Sequence, residues 1–201
     1  MSIILYLCHK ANRIGMILIN DNIEGIDLQE SMGLLSEQRR DKVLAIKDIM
    51  AQKASVAAYI LLCEGLRQEY GITGSPVFTY NSHGKPSLEG RSDIHFNFSH
   101  CKTAAICAVD NVEVGIDIET IRAYNRRLAL YTMNDDEFKR IESSPNPDIE
   151  FTRLWTMKEA VAKLSGTGLN DIKNLLTNFT GEIETVVETD KGYIYSFCRK
   201  K

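Results

Sequence analysis

The stretch that most constrains this chain runs from Thr152 to Leu169, Thr-Arg-Leu-Trp-Thr-Met-Lys-Glu-Ala-Val-Ala-Lys-Leu-Ser-Gly-Thr-Gly-Leu. It reads as a helix with charge in its middle, closed by glycines. At about 100° per residue, Leu154, Met157, Val161 and Leu164 fall on one stripe, and Trp155, Glu159 and Lys163 form an i, i+4, i+8 row on the opposite side. One face can pack while the other presents an acid and a base.

A second, shorter stretch belongs with it. In Gly115-Ile116-Asp117-Ile118-Glu119 apolar residues alternate with carboxylates, so a strand buries Ile116 and Ile118 and aims Asp117 and Glu119 to one side. Two residues along a strand span roughly 6 to 7 Å between α-carbons. Carboxylates held that close repel unless a cation lies between them, and oxygen-only ligands suit magnesium. Glu159 brought to the same cation adds a third carboxylate. Taken singly, the alternation is also that of any half-solvated strand, and Glu159 with Lys163 is also an ordinary i, i+4 surface pair. Their conjunction with other residues carries the functional reading.

A length of 201 residues with 44% hydrophobic residues suits one large or two small domains with a real core. The formal charge of -3 gives no support for a nucleic-acid or anionic-membrane partner acting through net charge. The five cysteines, Cys8, Cys63, Cys101, Cys107 and Cys198, are scattered without C-x-x-C spacing, so reduced thiols and a cytoplasmic location are expected. The apolar run from Ile3 to Cys8 is too short for a secretory segment, and no stretch is expected to span a membrane.

In chain order, Ile3 to Leu7 and Met16 to Ile19 read as paired strands. Ser36 is a plausible N-cap for the first of two helices, which break near Lys47 to Ala51 and end at Gly71. Arg39, Arg40 and Lys42 on the first, and Lys53 on the second, read as mainly solvated charges. Asn81 to Pro86 is a turn that holds Lys85 on an exposed, rigid loop. Ile94 to His100 alternates as a strand and ends in Ser99-His100, with no G-x-S-x-G elbow in the chain to suggest a hydrolase serine. Thr103 to Val109 and Val112 to Ile118 are expected to form a hairpin. Arg122, Arg126 and Arg127 surround Tyr124, Asn134 caps a helix that continues to Ile141, and Ser143 to Asp148 is a loop. Strand-like pieces at Ile183 to Val187 and Tyr193 to Phe197 close the chain, with a turn at Asp190 to Gly192.

Taken together, Gly84-Lys85-Pro86, Phe96-Asn97-Phe98-Ser99-His100, Gly115-Ile116-Asp117-Ile118-Glu119, and Leu154-Trp155-Thr156-Met157-Lys158-Glu159-Ala160 with Lys163 and Gly166-Thr167-Gly168-Leu169 resemble the larger, Sfp-type class of 4'-phosphopantetheinyl transferases in order and spacing. The resemblance covers roughly residues 36 to 169. It implies an α+β fold of two similar halves related by a pseudo-two-fold axis, residues 1–109 and 110–201, with coenzyme A at their junction. It also implies transfer of 4'-phosphopantetheine from coenzyme A to a serine of an apo acyl or peptidyl carrier protein, by a monomer that uses neither nucleic acid nor membrane.

Carried over residue by residue, Asp117, Glu119 and Glu159 would hold Mg2+, Glu159 would serve as general base, directly or through a water, and Lys163 would face the phosphates. Lys53, Lys85, Pro86, Ser99, His100 and Lys158 would contact the coenzyme. Lys53 stands where the family usually has an arginine, which keeps the charge but loses bidentate geometry. The tail after Leu169 is short. Two other readings stay open: a magnesium-dependent phosphoesterase or nucleotide hydrolase with water as nucleophile, and a coenzyme A-binding protein without activity.

Overall fold

The computed structural model describes residues 4–10 and 13–200. Its elements, in order, are β1 (Ile4–Lys10), β2 (Arg13–Asn20), α1 (Leu28–Met32), α2 (Glu37–Leu44), α3 (Ile49–Tyr70), β3 (Phe78–Tyr80), β4 (Pro86–Leu88), β5 (His95–His100), β6 (Ala105–Asp110), β7 (Val114–Thr120), α4 (Arg126–Thr132), α5 (Asp135–Glu142), α6 (Pro147–Ser165), β8 (Glu182–Glu188) and β9 (Tyr193–Arg199). This is a mixed α+β fold. Most helix starts are set by side-chain caps: Ser36 accepts from the amide of Arg39, Asp48 from that of Ala51, and Asn134 forms a reciprocal capping box with Glu137. Gly71 and Gly166 close α3 and α6 in the left-handed conformation.

The strands make a four-stranded sheet in the order β1-β2-β6-β5, a three-stranded sheet β7-β9-β8 and a two-stranded ribbon β3-β4. Period-two alternation turns these into layers. Leu18, Ala105, Cys107 and Val109 face α3, which contributes Ala57, Leu61 and Leu62 to the larger core. The intervening Ile17, Ile19, Ile106 and Ala108 face the second sheet, where Ile116, Ile118, Tyr195 and Phe197 meet them. The far side of the second sheet is covered by α6, through Ala160, Val161 and Leu164 against Cys198. The order of layers is helix, sheet, sheet, helix.

Three expectations are corrected here. The strands flanking Asn111 do not form a hairpin: β6 pairs with β2 and β5, and β7 pairs with β9. Both strands are apolar on the faces they share, so the turn at 111–113 carries the chain from one sheet to the next and stacks those faces instead of joining edges. Helix α6 starts at Pro147, capped by Asn146, not at Thr152, and the arginine-rich segment after β7 contains α4. Finally, α3 is long and apolar enough to cross a membrane by length and composition. Ten of its residues are buried, eight of them in the larger core, which accounts for that composition.

Candidate active site

Alternation on β7 decides where the acidic motif points. Ile116 and Ile118 go into the inter-sheet core, so Gly115, Asp117 and Glu119 face α6. Helix and strand lie so close that a Cβ on Gly115 would stand 2.0 Å from the carbonyl oxygen of Ala160 and 2.7 Å from the amide of Leu164. Only glycine fits there, and its neighbour Asp117 is brought within reach of the next turn of the helix. Lys163 Nζ donates to Asp117 Oδ1 at 2.6 Å and to Ser99 Oγ at 2.8 Å, and Ser99 Oγ donates to the same carboxylate oxygen at 2.8 Å. Nearby, Asn97 Oδ1 accepts from the amide of Ile116, so β5 is tied to β7 by side chains.

Glu159 and Glu119 complete the acidic group. Burial raises the pKa of Glu159 above the ordinary carboxylate value, with the charges of Asp117 and Glu119 adding to it and Lys163 opposing. Burial, then Asp117, raises that of Glu119, against the pull of Arg122, which bonds it at 3.1 Å. The carboxylates thus feel one another as like charges. Asp117 Oδ2 is buried without a hydrogen-bond partner. Hard oxygen donors, mutual repulsion and an orphaned oxygen fit a divalent cation in chemistry. In geometry they are not yet gathered: among the described residues, no three His, Cys, Asp or Glu side chains are grouped to hold a metal ion.

A cleft of about 370 Å³ opens beside these groups, lined by Glu159 and Lys163 of α6, Phe98 of β5, the ribbon residues Lys85 and Pro86, and Arg39 and Lys42 of α2. Arg39 Nη2 donates to the carbonyl oxygen and Oγ of Ser55, and the guanidinium lies 5.3 Å from the Phe98 ring centre and 5.9 Å from that of Tyr59. Burial lowers its pKa, and the groups whose fields oppose this are the phenols of Tyr80 and Tyr59, not carboxylates. Its Nε is buried with no partner. A guanidinium cannot shed its proton, so a charge held this way favours an anion in the cleft. Lys42 lies over the Tyr80 ring at 3.7 Å.

The structure sorts the expected site residues. Asp117, Glu119, Glu159, Lys163, Lys85 and Pro86 gather around the cleft or its acidic end. Ser99 is there too, but buried between Asp117 and Lys163 and not facing the cleft. His100 follows at the end of β5; partial burial and the charges of Lys163 and Arg39 hold its imidazole below its usual pKa. Lys85 is not free on an exposed loop: its Nζ caps the carbonyl oxygen of Leu164 at 2.6 Å, and Asn81 Nδ2 reaches that of Gly166, so the turn is pinned to the end of α6.

Two residues do not join the site. Lys158 is fully buried on another face of α6, ion-paired with Glu137 at 2.9 Å and donating to the carbonyl oxygens of Ile172 and Lys173. All its donors are taken by protein. Lys53 does not line the cleft; its amine donates to the carbonyl oxygen of Glu24. The basic side chains of α2 that do line the cleft are Arg39 and Lys42. The available signal was their i, i+3 spacing just after the N-cap Ser36, which sets both on one helix face.

Residues 113–200, from the turn before β7 through β9, match the family model of the 4'-phosphopantetheinyl transferase superfamily. This chain is similar to the 4'-phosphopantetheinyl transferases. It is 27% identical over 142 residues to the 4'-phosphopantetheinyl transferase Sfp of Bacillus subtilis strain 168, covering 69% of this chain and 63% of that protein. It is 30% identical over 138 residues to the 4'-phosphopantetheinyl transferase gsp of Aneurinibacillus migulanus, covering 67% and 57%. A shorter match, 36% identical over 96 residues, links it to the 4'-phosphopantetheinyl transferase AcpT of Salmonella typhimurium, covering 45% and 50%. The chain spans less than two thirds of the length of these curated relatives. The segment matching the transferase superfamily contains Asp117, Glu119, Glu159 and Lys163, while Arg39, Lys42, Lys85 and Ser99 lie before it.

Proposed function

We propose that this chain transfers the 4'-phosphopantetheine group of coenzyme A to a serine of an apo acyl or peptidyl carrier protein, releasing adenosine 3',5'-bisphosphate. The observation that carries this is a cleft lined both by an arginine with no carboxylate partner and by a lysine bonded to the Asp117 carboxylate. A bisphosphorylated nucleotide needs the first and a pyrophosphate being cleaved needs the second.

Arg39 and Lys42, with His100 beside them, would hold the phosphate at the nucleotide end, and Lys163 would meet the pyrophosphate. Asp117, Glu119 and Glu159 would hold Mg2+, which when bound supplies neutralisation of pyrophosphate charge. In the reaction the serine oxygen bonds to the β-phosphorus, the bridging P–O bond breaks, and the electron pair leaves on the nucleotide phosphate. Glu159 takes the serine proton. Its raised pKa suits that role, because a carboxylate with a higher pKa is a stronger base.

The halves 1–109 and 110–201 would be the two related units of the fold, with the coenzyme between them. The passage from one sheet to the other after β6, each sheet carrying a helix on its outer face, supports this division. A monomer working in the cytoplasm fits the free thiols of Cys63, Cys101, Cys107 and Cys198. The relatives' names are all those of transferases, so neither the hydrolase nor the inactive coenzyme-binding reading gains support.

The deciding experiment mixes the protein with coenzyme A, magnesium chloride and several apo carrier proteins and follows the carrier by intact mass. The expected outcome is one phosphopantetheine increment, lost when the acceptor serine is alanine. No increment on any carrier overturns the proposal.

A further inference from the structure

Asp117 is a buried side chain on a strand whose oxygen Oδ1 is held by a charge from another element. Lys163 Nζ lies 2.6 Å away, and Ser99 Oγ stands 2.8 Å from both atoms, closing a triangle. The other oxygen, Oδ2, is buried and unpartnered. The field of the same ammonium reaches Glu159 and Glu119. One movable cation therefore balances much of an acidic group that also has the donor chemistry for a metal ion.

The two partners differ in freedom. Asp117 is set by its strand, its burial and the Ser99 hydroxyl. Lys163 has a flexible four-carbon stem, its side chain is 29% exposed, and it lines the cleft. A divalent cation on the unpartnered Oδ2 would stand close to the ammonium on Oδ1 of the same buried carboxylate, and the two repel strongly. When the metal arrives, the lysine is the group that can leave, by rotamer change alone.

The geometry points to a cation exchange at Asp117: Lys163 holds this carboxylate in the metal-free protein, and a divalent cation binding there releases the ammonium into the cleft to meet the donor's phosphates. The identity of that anion rests on the transferase reading; the exchange itself rests on the triangle. Two consequences follow. The metal-free site is kept from tearing itself apart by its own lysine, and Ser99 is a positioning residue for Asp117, not a ligand contact. Metal and anion also help each other to bind, because the metal frees the lysine that the anion then receives, and such coupling is reciprocal.

The test uses magnesium alone, and manganese as its spectroscopic substitute, titrated into the full chain without coenzyme A by calorimetry and electron paramagnetic resonance. K163M keeps the stem and removes the charge, and should bind the cation about tenfold or more tighter than wild type, whereas K163R should stay near wild type. Equal or weaker binding by K163M overturns the exchange. Because K163M leaves Asp117 unpaired, a measurement on wild type stands beside it: acetylation of the Lys163 amine, read by peptide mass spectrometry, should rise several-fold in magnesium chloride over sodium chloride of equal ionic strength. An unchanged rate overturns the exchange. A wild-type protein that modifies a carrier but shows neither effect loses only the exchange; one that shows both effects but modifies no carrier loses only the transferase reading.

Discussion

Lys158 and Glu137 form a buried ion pair, 2.9 Å apart, that fastens α6 to the N-terminus of α5. Glu137 also closes the capping box of that helix through the amide of Asn134, so one carboxylate both caps a helix and neutralises a lysine with no exposed surface. Breaking such a pair strands a charge away from water, which typically costs about 3 to 5 kcal/mol. E137Q and K158M should each lower the free energy of unfolding by about that much, measured by urea denaturation. The double variant E137L/K158M should recover a good part of it. The KM for coenzyme A of whatever fraction stays folded should not move; a specific rise for K158M would return Lys158 to the coenzyme site.

Of Arg39 and Lys53, only Arg39 lines the cleft proposed to hold the nucleotide end of the coenzyme. A charge-assisted hydrogen bond contributes about 1.5 to 3 kcal/mol, or roughly 10- to 100-fold in affinity. R39A should therefore raise the Kd for coenzyme A by at least about tenfold in calorimetry, and K53A should change it less than about twofold. The reverse ranking would place the phosphate outside the cleft described.

Gly115 is where β7 and α6 come closest. A methyl group there would lie 2.0 Å from the backbone oxygen of Ala160, and backbone cannot step aside as a side-chain end can. G115A should destabilise by about 2 kcal/mol or more and depress transfer activity beyond what the unfolded fraction explains, because α6 carries Glu159 and Lys163. Thermal denaturation alongside single-turnover kinetics separates the two losses. Full activity in a stable G115A protein would show that the approach is not needed for the site.

The acceptor should dock near α4. Arg122 and Arg126 are paired with Glu119 and Glu142, yet the segment also leaves Tyr131 71%, Leu130 48% and Leu128 40% exposed, beside the exposed Arg127. Steering by a basic, apolar patch predicts that R126E/R127E raises the KM for an acidic carrier protein and flattens its salt dependence while the KM for coenzyme A is unchanged. An unchanged carrier KM at low and moderate salt moves the docking surface elsewhere.

Most of the site's local structure was legible in the residues themselves, because it depends on periodicities the chain carries with it. Alternation in Ile116-Asp117-Ile118-Glu119 tells which side chains share a face, i, i+4 spacing puts Glu159 and Lys163 on one helix row, and Ser36 and Gly166 mark where helices start and stop. The match of the motifs to the transferase family rests on the same local patterns. What they leave undetermined is which distant group each face meets. That β7 pairs with β9 and not β6 depends on which apolar faces stack best once both sheets exist.

The fates of the lysines show the same limit. Lys158, Lys163 and Lys53 are alike as residues on helices, and nothing near them in the chain tells that the first is neutralised by Glu137, 21 positions away, that the second is paired with Asp117, 46 away, and that the third donates to the carbonyl of Glu24. Arg39 looked like a solvated charge until α3 and β5 brought Ser55, Tyr59 and Phe98 around it. A charge acquires its role from the dielectric and the partners that packing supplies, and these are properties of the tertiary structure alone.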